Sequence, residues 1–146
     1  MICEKTRKNM IPIALTLLRV GVGVIMAVHG WQKFQNPAQI IEGVTKMGFP
    51  IPVVMGWLAI AGELLGGLGL IVGLLTPIAA FGVFVTMAVA VFKVHFANGL
   101  LASNNGFEYP MTLMLASLFF IFNGAGPISL DHLLCRKKCG ENHCTS

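Results

Sequence analysis

Ionisable side chains stand inside stretches of this chain that are otherwise apolar: Arg19, His29, Glu63 and His95 lie within such stretches, and Lys93 and Glu108 lie near their ends. A stretch of about 20 apolar residues is long enough, as a helix, to cross a ~30 Å hydrocarbon core. A charge at that depth costs roughly 2.5–3.5 kcal/mol, so such residues are turned inward, paired, and part of a pathway or site. The chain therefore reads as all-α, a four-transmembrane-helix bundle with a polar interior. A composition that is 55% hydrophobic and only 11% charged excludes an ordinary soluble domain. The formal net charge of +4 does not point to nucleic acid, because Lys and Arg gather at the ends of apolar runs instead of along one soluble face. Anionic lipid is the expected counterpart.

The apolar runs cover residues 11–32, 53–75, 77–97 and 110–125, the fourth being shorter because Gly124, Gly126 and Pro127 close it. Residues 1–10 form a basic arm, 11–127 the membrane domain, and 128–146 an interfacial helix with a Cys- and His-bearing tail. The first run exceeds the apolar core of a signal peptide, contains Arg19 and lacks a small-residue cleavage pattern, so it is expected to remain as a helix. Lys5, Arg7, Lys8, Arg136, Lys137 and Lys138 flank the two outer ends of the bundle, against Lys33 and Lys46 in the first connection. That bias places both termini in the cytoplasm of a multi-pass protein of the cell (inner) membrane.

Gly62, Gly66, Gly69 and Gly73 recur at spacings of four, three and four in the second run, a smooth face for close helix packing. It serves either an internal or an intersubunit contact, so a homo-oligomer or a protein partner is expected besides the bilayer. Depth counting at 1.5 Å per residue brings Arg19 and Glu63 together near the midplane, as a structural pair or as proton- or ligand-handling groups. A second layer collects His29, Lys93, His95, Glu108 and Tyr109 beneath a turn-rich 98–106 loop, a natural lid. Imidazole with carboxylate relays protons, binds a metal or hydrogen-bonds a quinone carbonyl, and the spacing alone does not choose among these.

In the tail, Cys135, Cys139, His143 and Cys144 match a Cys₃His set for Zn or Cu(I) by ligand count, though the spacing is unorthodox. A lipid-binding tail and palmitoylation at Cys135 compete with that reading. Ser129 is placed to cap the short helix that precedes the tail. No phosphate-binding loop, nucleophile elbow, Cys-x-x-Cys pair or His-Glu-x-x-His is present, so a partner or cofactor would supply the hard chemistry.

Leu18-Arg19-Val20-Gly21, His29-Gly30-Trp31-Gln32-Lys33-Phe34, Gly62-Glu63-Leu64-Leu65-Gly66-Gly67, Val94-His95-Phe96-Ala97-Asn98-Gly99 and Gly106-Phe107-Glu108-Tyr109-Pro110 together resemble the DoxX family of small four-helix membrane proteins. Asn105 departs from a glycine expected there. The resemblance implies a membrane subunit or anchor of a quinone- or sulfur-linked redox system, or of an oxidative-stress system. It carries catalytic candidates onto His29, Glu63, His95 and Glu108, and substrate-binding candidates onto Arg19, Lys33 and Tyr109, to which depth adds Lys93. The alternative is a non-enzymatic protein for metal handling or stress response that uses the Cys-rich tail.

Overall fold

All four apolar runs form helices, and two more helices lie between and after them. The computed structural model describes residues 4–139, with side chains described for residue 8 and for residues 10–135. The helices are α1 (Glu4–Gln35), α2 (Pro37–Lys46), α3 (Pro52–Val72), α4 (Thr76–Val89), α5 (Glu108–Asn123) and α6 (Leu130–Cys139). There is no strand among the described residues. α4 continues through a π-helical turn, Ala90–His95, and a 3-10 turn, Phe96–Asn98. Three helical stretches, Met10–Gln35, Pro52–Val72 and Thr76–Asn98, are long and apolar enough to cross a membrane. α5, with 16 residues, covers only about 24 Å at 1.5 Å per residue, as short as its apolar run.

Large apolar side chains face outward all around the bundle, among them Leu17, Val28, Leu65, Ile78 and Phe122. That inversion of the soluble pattern is what a lipid solvent demands. Inside, Val22, Met26, Leu70, Val83, Met87, Leu113 and Phe120 form one apolar core.

Lipid gives helices no hydrophobic reason to associate, so they meet where small residues let their backbones approach. α3 occupies the centre. A Cβ on Gly23 of α1 would lie 2.8 Å from the Gly67 carbonyl oxygen, and one on Gly30 or Gly67 would run into the backbone of Leu64 or Ala27. On its other side, Gly62, Gly66 and Gly69 face Gly82, Thr86, Ala79 and Val83 of α4. The glycine face read from the sequence is thus used within the chain. Gly73 has a separate task, ending α3 in the left-handed conformation at φ 67°.

These contacts set one antiparallel register: Gly30 beside Leu64, Ala27 beside Gly67, Arg19 beside Gly73. Glu63 therefore lies level with the Gly30 to Lys33 turn. Arg19 is eleven residues below Gly30, roughly 16 Å along the helix. The expected Arg19 to Glu63 pair is not formed, because depth counting aligned the helix ends whereas the glycines align the helices about two turns differently.

Arg19 instead holds the far end of the bundle together. Buried there, it donates hydrogen bonds to the carbonyls of Ala125 (2.6 Å) and Ile128 (2.8 Å). The two oxygens of Asp131 accept from the amides of Leu75 (2.7 Å) and Thr76 (2.9 Å), capping α4 from α6. Ser129 accepts from the His132 amide at 3.2 Å, the capping role expected of it.

The connecting helix α2 was not expected. Its signals are Pro37 at the first turn and an Ile40, Ile41, Val44 stripe, of which Ile41 contacts Gly56 of α3.

Replacing Gly67 by Leu should destabilise the bundle by roughly 1–3 kcal/mol through overpacking against α1. Gly21→Leu, at an exposed position with no neighbour within 4 Å, should stay within about 0.5 kcal/mol of the parent. Thermal unfolding of both variants in detergent measures the difference, and equal effects would contradict the packing described.

Candidate functional site

Met26, His29 and Lys33 recur at spacings of three and four along α1, so all three share one face. That face looks into a cavity of about 420 Å³ near the 99–107 loop. α3 adds Glu63; α4 and its π turn add Met87, Ala90 and His95; α5 adds Tyr109, Pro110 and Leu113. Ala102, Asn105 and Gly106 of the loop line the cavity as well.

The π turn explains how His95 reaches the cavity. In an α-helix, a residue five positions after Ala90 would point well away from it. A π turn closes its hydrogen bonds at that spacing and brings His95 back above Ala90.

Lys33 donates a hydrogen bond to Oε1 of Glu63, and the two form a salt bridge. The Glu63 side chain is 2% exposed and that of Lys33 33%, so the lysine reaches inward from a wetter position. Glu63 Oε2 has no hydrogen-bond partner among the described residues. A buried carboxylate oxygen left this way is costly, and it is the acceptor on this wall most in need of a donor. Arg19 Nε and Thr76 Oγ1 are also buried without partners, but neither lines the cavity.

His95 Nδ1 lies 2.8 Å from the Asn105 carbonyl, which also accepts from Asn98 Nδ2 at 3.1 Å. A carbonyl only accepts, so Nδ1 carries a proton and Nε2 is the nitrogen left for other partners. The Tyr109 hydroxyl is 3.3 Å from His29 Nε2, linking α5 to α1 across the cavity.

Of the catalytic candidates, His29, Glu63 and His95 line this cavity and Glu108 does not. Glu108 Oε1 accepts the Ala102 amide at 2.7 Å and braces the loop. Among the substrate-binding candidates, Lys33 and Tyr109 line the cavity; Lys93 is exposed outside it and Arg19 sits at the far end. Cys135 is exposed on α6, while the side chain of Cys139 and the whole of His143 and Cys144 lie outside the described residues. No group of three or more His, Cys, Asp or Glu is placed to hold a metal ion among the described residues.

The apolar walls Met26, Met87 and Leu113 were not singled out from the sequence. Met26 was within reach, by its spacing from His29 and Lys33. The Asn105 carbonyl had no sequence signal, since its position follows from a left-handed Asn105 (φ 59°) and a Gly106 pressed against the Gly99 and Leu101 backbone.

A family model described as DoxX matches residues 14–96, which takes in most of α1, all of α2 to α4, and His95. An uncharacterized protein of Haemophilus influenzae is 36% identical over 130 residues, covering 86% of this chain and 94% of that protein. A second from the same organism is 29% identical over 126 residues, covering 84% and 83%. The putative oxidoreductase CatD of Bacillus subtilis is 31% identical over 130 residues, covering 89% and 93%. No solved structure matches.

Removing the brace with Glu108→Ala should leave the helices intact and loosen the loop. Amide exchange at Ala102 should accelerate roughly three- to tenfold, the equivalent of one hydrogen bond. Exchange measured by mass spectrometry decides this, and unchanged loop protection would count against the assigned role.

Proposed function

Because the chain belongs to the DoxX family, we propose that it is the membrane-embedded, ligand-binding subunit of an oxidoreductase system, its cavity holding a small quinone-type or sulfur compound. The observation that carries this reading is the buried Glu63 oxygen without a partner, in a cavity shared with His95. The surroundings fit such a ligand. A volume of about 420 Å³ lies within the usual range for small-molecule pockets, and apolar walls with a few converging polar groups are their usual lining. The relative named as a putative oxidoreductase supports the same class of chemistry.

Within this reading each side chain has a task. Met26, Met87, Pro110 and Leu113 hold the body of the ligand and exclude water. Lys33 compensates the Glu63 charge, so that the carboxylate is available at bilayer depth. His95, oriented by Asn105, offers Nε2 as a proton acceptor, and His29 with Tyr109 forms a second polar link toward the loop. Electrons come from or go to a partner protein, since the chain carries no recognisable redox apparatus of its own. The charge bias supports an orientation with both termini in the cytoplasm and the cavity and its loop toward the opposite face of the inner membrane.

The test is equilibrium binding of a decyl-substituted benzoquinone, in either oxidation state, to the full chain in lipid nanodiscs. The wild type should bind one form at one per chain. His95→Ala should weaken binding at least about tenfold, the loss of one hydrogen bond to a buried group, and Leu113→Trp should abolish it by filling the cavity. No binding by the wild type, or unchanged binding in both variants, would overturn the proposal.

A further inference from the structure

The cavity's polar groups differ in what they have left to offer, and that difference bears on the form of the ligand. Tyr109 and His29 share a single hydrogen bond, so the pair keeps one donor, Tyr109 O–H or His29 Nδ1–H according to the tautomer. The Asn105 carbonyl already accepts from His95 and Asn98. Lys33 is committed to Glu63 by one proton, and its remaining protons sit on a side chain one-third exposed. Two acceptors remain: Glu63 Oε2, buried without a partner among the described residues, and, in the neutral imidazole, His95 Nε2, whose sister nitrogen holds the proton.

A pocket with two uncommitted acceptors calls for a ligand with two donors. The charge balance narrows the class further. Lys33 and Glu63 neutralise one another, so no cation is left over to compensate an anionic ligand, and a second negative charge would face Glu63 in a low-dielectric site. A quinone offers only acceptors, which would leave Glu63 Oε2 without a partner and set a carbonyl against the His95 lone pair. A hydroquinone donates from both hydroxyls and still accepts from Lys33. Size is no obstacle, since about 150 Å³ already accommodates a benzene ring.

Building on the ligand-binding reading above, we infer that the cavity takes its ligand in the hydrogen-donating form: a neutral dihydroxybenzene of the hydroquinone class, bound in preference to its quinone and to sulfur oxyanions such as thiosulfate. Glu63 Oε2 accepts one hydroxyl and His95 Nε2 the other. Lys33 is a positioning residue that holds the carboxylate through Oε1.

The full chain in nanodiscs, kept anaerobic at neutral pH, is titrated with decylhydroquinone, its dimethyl ether, decylquinone and thiosulfate. The hydroquinone should bind about tenfold more tightly than the quinone or the ether, which lacks the donors but keeps the ring. Thiosulfate should not displace it. In Glu63→Gln, whose amide presents a donor as well as an acceptor, the preference should fall to within about threefold. Equal or tighter binding of the quinone, displacement by thiosulfate, or a tenfold preference surviving in Glu63→Gln would each overturn the inference while leaving a redox-ligand cavity in place. Failure of both ring forms to bind would remove the cavity reading itself. The wild-type ratio decides the matter even if the variant does not fold.

Discussion

The close approach of α1 and α3 at Gly23, Gly30 and Gly67 is the constraint from which the rest of this structure follows. Where the backbones touch, neither helix slides without driving a side chain into a peptide group. One register results, and it brings Lys33, near the end of α1, level with Glu63 near the middle of α3. A carboxylate buried in the middle of an apolar helix is tolerated because an ammonium on a flexible stem reaches it.

The same register sends Arg19 to the other end, and the two ends then serve different purposes. Around Arg19, charged and polar side chains are spent on backbone groups: carbonyls at Ala125 and Ile128, amides at Leu75 and Thr76, the first turn of α6. These contacts lock the α3 to α4 turn to α6. Around Glu63 the polar groups face one another across a cavity, and the strongest acceptor among them is left over. Polar residues that satisfy the backbone hold the fold, and polar residues left facing a cavity are where a ligand belongs.

Much of this was legible in the sequence. Apolar run length marked the stretches that form α1, α3, α4 and α5, three of them in helices long enough to cross a membrane, and ionisable residues within those stretches singled out His29, Glu63 and His95, which line the cavity. Ser129 was readable as a cap because its hydroxyl precedes a short helical pattern. The Lys33 to Glu63 pair was not, since helix register depends on which small residues nest, and a count from helix ends misplaced Glu63 relative to α1 by about two turns. α2 was missed because ten amphipathic residues are overshadowed by the long runs on either side. The π turn that aims His95, and the Asn105 carbonyl that orients it, depend on a local change of pitch and on a left-handed residue that no periodicity announces. Glu108, chosen for its charge and depth, proved to brace the loop.

A double-mutant cycle on unfolding free energy in detergent is the most direct test of this account, comparing Lys33→Met with Glu63→Leu and Arg19→Met with Glu63→Leu. The register described here predicts a coupling above about 1 kcal/mol for Lys33 and Glu63 and within about 0.5 kcal/mol of zero for Arg19 and Glu63. The reverse pattern, strong coupling of Glu63 to Arg19 and none to Lys33, would contradict it.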